Sequence, residues 1–68
     1  MQAPLTALRA FEAAARLQSV SRAAEELHMT QPAVSKWLKE LESDMGLPLF
    51  ERHARGLRPT LYGLKLIE

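Results

Sequence analysis

The stretch "HMTQPAVSKW", residues His28 to Trp37, decides how this chain is read. It begins a helix, and in an uncommon way. Thr30 is a good N-cap, because a threonine hydroxyl accepts a hydrogen bond from an N–H of the first turn. Pro32 falls within that turn, where its missing N–H costs nothing and its fixed φ suits the helix. Helix dipoles favour Asp or Glu at this end. Here the first charges are instead Lys36 and Lys39, and Glu40, Glu42 and Asp44 come only in the second half. Val34, Leu38, Leu41 and Met45 recur at helical spacing beside Trp37, and Gly46 stands where a C-cap glycine belongs. The pattern predicts a helix over about 31–45.

On a wheel of about 100° per residue, Leu38, Leu41 and Met45 fall within roughly 40° of Val34. Gln31, Pro32, Ser35, Lys36 and Lys39 spread over roughly 60° to 200°, a polar face turned from the core. A helix entering a DNA major groove amino end first needs such a face, since a carboxylate there repels the phosphate backbone. Gln31 can pair with adenine N6/N7, and Lys36 can reach guanine O6/N7 or a phosphate. Ser35 can contact bases of either strand, and Pro32 offers a rigid apolar surface to a thymine methyl. Thr30 and the N–H groups of the helix start suit a phosphate oxygen, and Lys39 the backbone. The plainer alternative is a solvated helix face with a capping threonine. What lies on either side tips the balance.

Upstream, "PLTALRAFEAAARLQ" (4–18) reads as a helix with Pro4 in its first turn and Leu5, Leu8, Phe11 and Ala15 as its apolar stripe. "SVS" breaks it, Ser19 and Ser21 both being good caps, and Ser21 is expected to open a short second helix over "RAAEELH". The adjacent Ala23 and Ala24 mark a place where another helix crosses closely. Ser21 and Arg22, at that helix start, can clamp a phosphate. Downstream the period changes. "LPLFERHARGLRPT" (47–60) holds two extended stretches, about Leu49 to Arg52 and Leu57 to Pro59, with Gly56 in a turn between them. Arg52, Arg55 and Arg58 fall within it without an acid among them. They suit phosphates beside a groove, with Arg55 at the tip entering the minor groove, although an exposed loop is also basic by chance. Thr60 then caps "LYGLKLIE", whose Leu61, Leu64 and Ile67 are expected partly to cover the core and partly to form an interface.

The order is helix, helix, tight turn, helix, two-stranded wing, helix. That is mainly α, a winged helix-turn-helix with a three-helix core, a two-stranded β wing and a C-terminal linker helix.

Composition sets the limits. Sixty-eight residues allow one small domain, and the absence of Cys suits a reducing, cytoplasmic setting. No apolar run approaches the roughly 18 residues of a membrane span, and no basic n-region precedes an apolar h-region. The net charge of +1 is a weak signal for a polyanionic partner, so the case for nucleic acid rests on where the charges lie. With two histidines, no Cys and no spaced carboxylate pair, neither a metal site nor a cofactor is expected. His28 reads as a turn residue, His53 as a weak phosphate contact and Trp37 as packing surface. No nucleophile–base pair or phosphate-cradling glycine loop points to an enzyme.

Taken together, Ser21 with Ala23-Ala24, the Leu27-His28 turn, Thr30-Gln31-Pro32-Ala33-Val34-Ser35, Leu41-Glu42, Gly46 and Leu49-Phe50-Glu51-Arg52 closely resemble the N-terminal DNA-binding domain of LysR-type transcriptional regulators. The resemblance covers essentially the whole chain. It implies a bacterial, sequence-specific binder of double-stranded DNA over residues 1–59, with the start of a dimerisation helix over 60–68. Gln31, Pro32, Ser35 and Lys36 are then expected to read bases. Ser21, Arg22, Thr30, Lys39 and the wing arginines of 52–58 are expected to hold the backbone. Two subunits paired through Leu61, Leu64 and Ile67 would meet a pseudo-palindromic operator. Such regulators usually continue into an effector-binding domain, through which a small-molecule effector would act and which this chain is expected to lack. Two departures stand out: Tyr62 occupies the place of a frequent alanine, and Lys36 that of a frequent arginine, exchanging a bidentate fork for a point charge. The competing reading is a winged helix serving as a protein–protein module.

Overall fold

A computed structural model of the chain describes residues 4–67. The elements run α1 (Leu5–Leu17), α2 (Val20–Leu27), α3 (Gln31–Met45), β1 (Phe50–His53), β2 (Gly56–Pro59) and α4 (Leu61–Ile67). Three helices pack together, a hairpin follows and a last helix closes the chain, the winged helix-turn-helix expected from the sequence.

The packed face of α1 differs from the expected stripe. Leu5 is 65 % exposed and Leu8 39 %, while Ala7, Ala10, Phe11, Ala13, Ala14 and Ala15 are buried. Only Phe11 and Ala15 belong to both. The reason is the spacing of the helices. Both α2 and α3 cross α1, and separation at a crossing is set by the side chains that meet there. Methyl groups on α1 face the buried Ala23 and Ala24 of α2, and a leucine in that seam would hold the helices apart.

The cap of α2 also lies elsewhere than expected. Ser19, in extended conformation, accepts the Arg22 N–H at 3.1 Å, and Ser21 sits exposed inside the first turn. A cap at Ser21 would leave Val20 outside the helix, whereas capping at Ser19 turns Val20 against the core. His28 then closes α2 in the left-handed region, at φ 56°, and the Met29 N–H reaches back to the Ala24 carbonyl at 2.9 Å. For α3, Thr30 accepts the Ala33 N–H at 3.2 Å, and Gly46 ends the helix at φ 67°. Val34, Leu38 and Leu41 are buried, with Trp37 and Met45 packed at the edge of the core.

Glu42 belongs to the fold rather than to the acidic surface. Its Oε2 accepts the Leu49 N–H at 2.7 Å and the Phe50 N–H at 3.2 Å, tying the end of α3 to the base of the hairpin. Leu49 is fully buried, and the Phe11 and Phe50 rings meet at 5.4 Å between centroids.

In the hairpin, Phe50 pairs with Pro59, Glu51 with Arg58, Arg52 with Leu57 and His53 with Gly56. Gly56 is therefore the first residue of β2, and Ala54-Arg55 form the turn, one residue earlier than expected. Two-residue hairpins of the commonest type need positive φ at both turn positions. Neither Ala54 nor Arg55 has it, and the unusual backbone is taken up by Gly56 at φ 134°.

Thr60 joins the hairpin to α4. Its N–H donates to the Leu49 carbonyl at 2.9 Å, its hydroxyl donates to the Pro48 carbonyl at 2.6 Å, and the same oxygen accepts the Gly63 N–H at 3.2 Å. Gly63 and Leu66 form the inward side of α4. The expected stripe of Leu61, Leu64 and Ile67 covers none of the core: all three are exposed, as is Tyr62.

Candidate nucleic-acid interface

The outer face of α3 carries the residues expected to read bases. Gln31, Pro32, Lys36 and Lys39 are exposed and Ser35 is half-buried. Pro32, Ser35, Lys36 and Lys39 line one shallow trough, which also takes in Glu40 and Ser43. Gln31 stands at the leading end, outside that lining. Ser43 is legible on the wheel as a later member of the same face, two turns beyond Lys36.

The start of α3 offers fewer amide donors than expected. The Ala33 N–H is taken by the Thr30 hydroxyl and the Val34 N–H by the Thr30 carbonyl, at 3.2 and 3.1 Å. Pro32 has none. The outward amide of this turn is that of Gln31, and the Thr30 hydroxyl keeps its own proton to donate. The lack of an acidic first turn is shared by α1, α2 and α4. What sets α3 apart is the pair of lysines in the trough.

A second basic surface comes from elements far apart in sequence. A cleft of about 620 Å³ lies between the amino end of α2 and the wing, with Ser19 and Arg22 on one wall and His53, Arg55 and Arg58 on the other. Among its lining residues there is no carboxylate. The first-turn amides of Val20 and Ser21 lie at the same helix end, where N–H groups lack partners within the helix. Ser19, read from the sequence as a good cap, was not counted among the site residues; its place before Val20, rather than its type, was the available signal. The three wing arginines do not form one set. Arg55 and Arg58 line the cleft, while Arg52, exposed and paired with Leu57 across the hairpin, does not.

Several acids are engaged with other groups of the domain. The Arg16 guanidinium bonds to Glu12 at 2.9 Å and also to Glu26, linking α1 to α2. The hydrogen bond from Arg16 holds the Glu12 carboxyl below its ordinary value of 4.5, and Glu12 and Glu26 together hold Arg16 above the usual guanidinium range. Glu42 is turned toward backbone amides. The modest net charge of +1 therefore understates how basic the free surface is. Among the described residues, no group of three His, Cys, Asp or Glu could hold a metal ion, and no helix is long and apolar enough to cross a membrane.

An exposed third helix, a capped second helix beside it and a basic hairpin facing the start of that second helix across a cleft define a winged helix-turn-helix domain of the DNA-binding type. The family model described as "Bacterial regulatory helix-turn-helix protein, lysR family" matches residues 5–64, and the chain belongs to that family. It is 56 % identical over 62 residues to the HTH-type transcriptional regulator TrpI of Pseudomonas aeruginosa, covering 91 % of this chain and 21 % of TrpI. Among solved structures it is similar to the CbnR DNA-binding domain in complex with DNA, at TM-score 0.90 and 33 % identity, over 94 % of this chain and 74 % of the other. The BenM DNA-binding domain on its catB site 1 DNA gives TM-score 0.88 and 35 % identity, over 93 % and 71 %. The chain spans about a fifth of the length of the curated relatives it matches.

Proposed function

We infer that this chain binds double-stranded DNA sequence-specifically, as the reading head of a LysR-type transcriptional regulator. The observation that carries the reading is the outer face of α3. Pro32, Ser35, Lys36 and Lys39 share one trough behind Gln31, in a fold also adopted by family members bound to DNA. In this reading α3 lies in the major groove. Gln31, Pro32, Ser35 and Lys36 meet base edges, while Thr30, Lys39, Ser21, Arg22 and the arginines of 52–58 hold phosphates or line the minor groove. Ser19 joins them through the cap of α2.

The exposed Leu61, Leu64 and Ile67 of α4 support pairing of two copies. Two heads would then meet half-sites one helical turn, about 34 Å, apart on a pseudo-palindromic operator. A small-molecule effector would act through a further domain of the whole regulator, in the cytoplasm where the DNA is.

The test is duplex binding by fluorescence anisotropy, on sequences selected from a random pool and on unselected DNA, across a salt series. Affinity should fall steeply with salt as phosphate contacts release counterions. Gln31→Ala should cost about 1–3 kcal/mol on selected duplexes and relax one position of each half-site. Arg55→Ala should weaken all sequences alike and flatten the salt slope by about one. Salt-independent binding would favour a protein-binding module instead, and equal losses for Gln31→Ala on both DNA pools would remove it from the readers.

A further inference from the structure

Beyond the Glu42 tie at its base, the wing is bonded to the end of α1 at one backbone atom, and that atom belongs to the corner that also starts α2. Gln18 ends α1 in the left-handed region, at φ 53°, its N–H donating to the Ala14 carbonyl at 2.8 Å. That conformation turns its own carbonyl outward, where it accepts the Leu57 N–H at 3.0 Å. Leu57 is buried and follows Gly56 directly. A Cβ on Gly56 would overlap the same Gln18 oxygen, so only glycine lets the strand come this near, and only glycine readily adopts its φ of 134°. The next residue, Ser19, caps α2 through the Arg22 N–H. Two consecutive residues thus hold both walls of the basic cleft, Gln18 the wing and Ser19 the helix end.

We propose that the contact between Gly56 and the Gln18 carbonyl positions the wing, setting the distance of Arg55 and Arg58 from Arg22 so that both walls engage the DNA backbone together. Gly56 and Gln18 are positioning residues and touch no DNA themselves. The inference rests on the DNA-binding reading of the wing and adds to it. The wing's grip depends on a backbone clamp at the α1–α2 corner, and base reading by α3 does not.

The 68-residue chain is within reach of chemical synthesis, which allows a clean test. Gly56→Ala, made with L-alanine, drives a methyl into the Gln18 carbonyl. The same position made with D-alanine keeps positive φ and turns the methyl to the other side. A third version removes the Leu57 amide donor without steric change, by converting the Gly56–Leu57 peptide bond to an ester that lacks the N–H. Binding is read as the slope of log affinity against log salt on selected and unselected duplexes. The L-alanine and ester chains should lose about one to two from that slope, the share of Arg55 and Arg58, at about 0.9 per phosphate released. Their discrimination between the two DNA pools should be unchanged, and the D-alanine chain should behave as the parent. Adding Arg55→Ala and Arg58→Ala to the ester chain should take nothing further from the slope.

If Arg55→Ala and Arg58→Ala leave the slope unchanged in the parent chain, the DNA reading of the wing fails, and the clamp with it. If they lower the slope while the ester chain keeps it, the wing binds DNA but the clamp does not position it. A loss of base discrimination in the ester chain would also overturn the proposal, because the clamp would then act on the whole domain. Should the L-alanine chain fail to fold, the ester decides alone.

Discussion

Removing the Glu42 carboxylate should damage this domain more than removing any other single charge. Two backbone amides depend on it, and they differ in what replaces it. Leu49 has 0 % of its surface exposed, so its N–H, now bonded at 2.7 Å, would be left without water or any other acceptor. An orphaned buried donor costs about 1–3 kcal/mol. The Phe50 N–H is held less tightly, at 3.2 Å on a half-buried residue, and water can partly replace the carboxylate there. The sum for Glu42→Ala is about 2–4 kcal/mol. A domain of this length holds only roughly 3–10 kcal/mol in total, so the melting midpoint should fall by roughly 10–25 °C. Glu42→Gln keeps an acceptor but loses the charge that makes such bonds about twice as strong, and should cost about 1 kcal/mol. Thermal and urea unfolding followed by circular dichroism measure both. If the two variants melt together within about 2 °C of the parent, the carboxylate is not what holds α3 to the hairpin.

The two serines before α2 separate just as clearly: Ser19→Ala should lower stability by about 1 kcal/mol and Ser21→Ala by much less, read from urea midpoints. Gly63→Ala sets two effects against each other. Alanine is favoured over glycine within a helix by about 1 kcal/mol, but here its methyl would overlap the Leu49 carbonyl oxygen, so the variant should melt below the parent; a higher midpoint would show that α4 can move aside freely. The Arg16 cluster has a pH signature. Because Glu12 titrates lower in the folded chain than its ordinary 4.5, its contribution is complete above that value and disappears as pH falls through the lowered one. The difference in melting midpoint between the parent and Arg16→Gln should therefore be present at neutral pH and vanish on strong acidification.

The helix that decides the fold was legible because its signals are local. Thr30, Pro32 and Gly46 act within a turn of their own positions, and Val34, Leu38 and Leu41 repeat at one period. Errors came where a distant partner made the choice. Leu5 and Leu8 look like a packing stripe until the closeness of α2 and α3 favours alanine on the other side. Glu42 looks like one of three surface acids until the chain returns with two free amides seven and eight residues later. Ser21 and Ser19 are equivalent as caps, and the burial of Val20 selected between them. For the candidate site the division is similar. The α3 face could be drawn on a wheel, with Glu40 and Ser43 the omissions. The cleft could not, because its walls meet only when β2 reaches the end of α1.

The alanine seam has a thermodynamic meaning beyond close packing. Among the described residues, seven of the thirteen buried apolar ones are alanines: Ala7, Ala10, Ala13, Ala14, Ala15, Ala23 and Ala24. A leucine or isoleucine surrenders about 0.5–1 kcal/mol of rotamer freedom when it is buried, and alanine surrenders none. A chain this short cannot bury much volume, and this one lowers the disorder lost on folding instead. About half of these buried residues have no side-chain torsion to freeze, so the seam between α1 and α2 rests on contacts that cannot change rotamer.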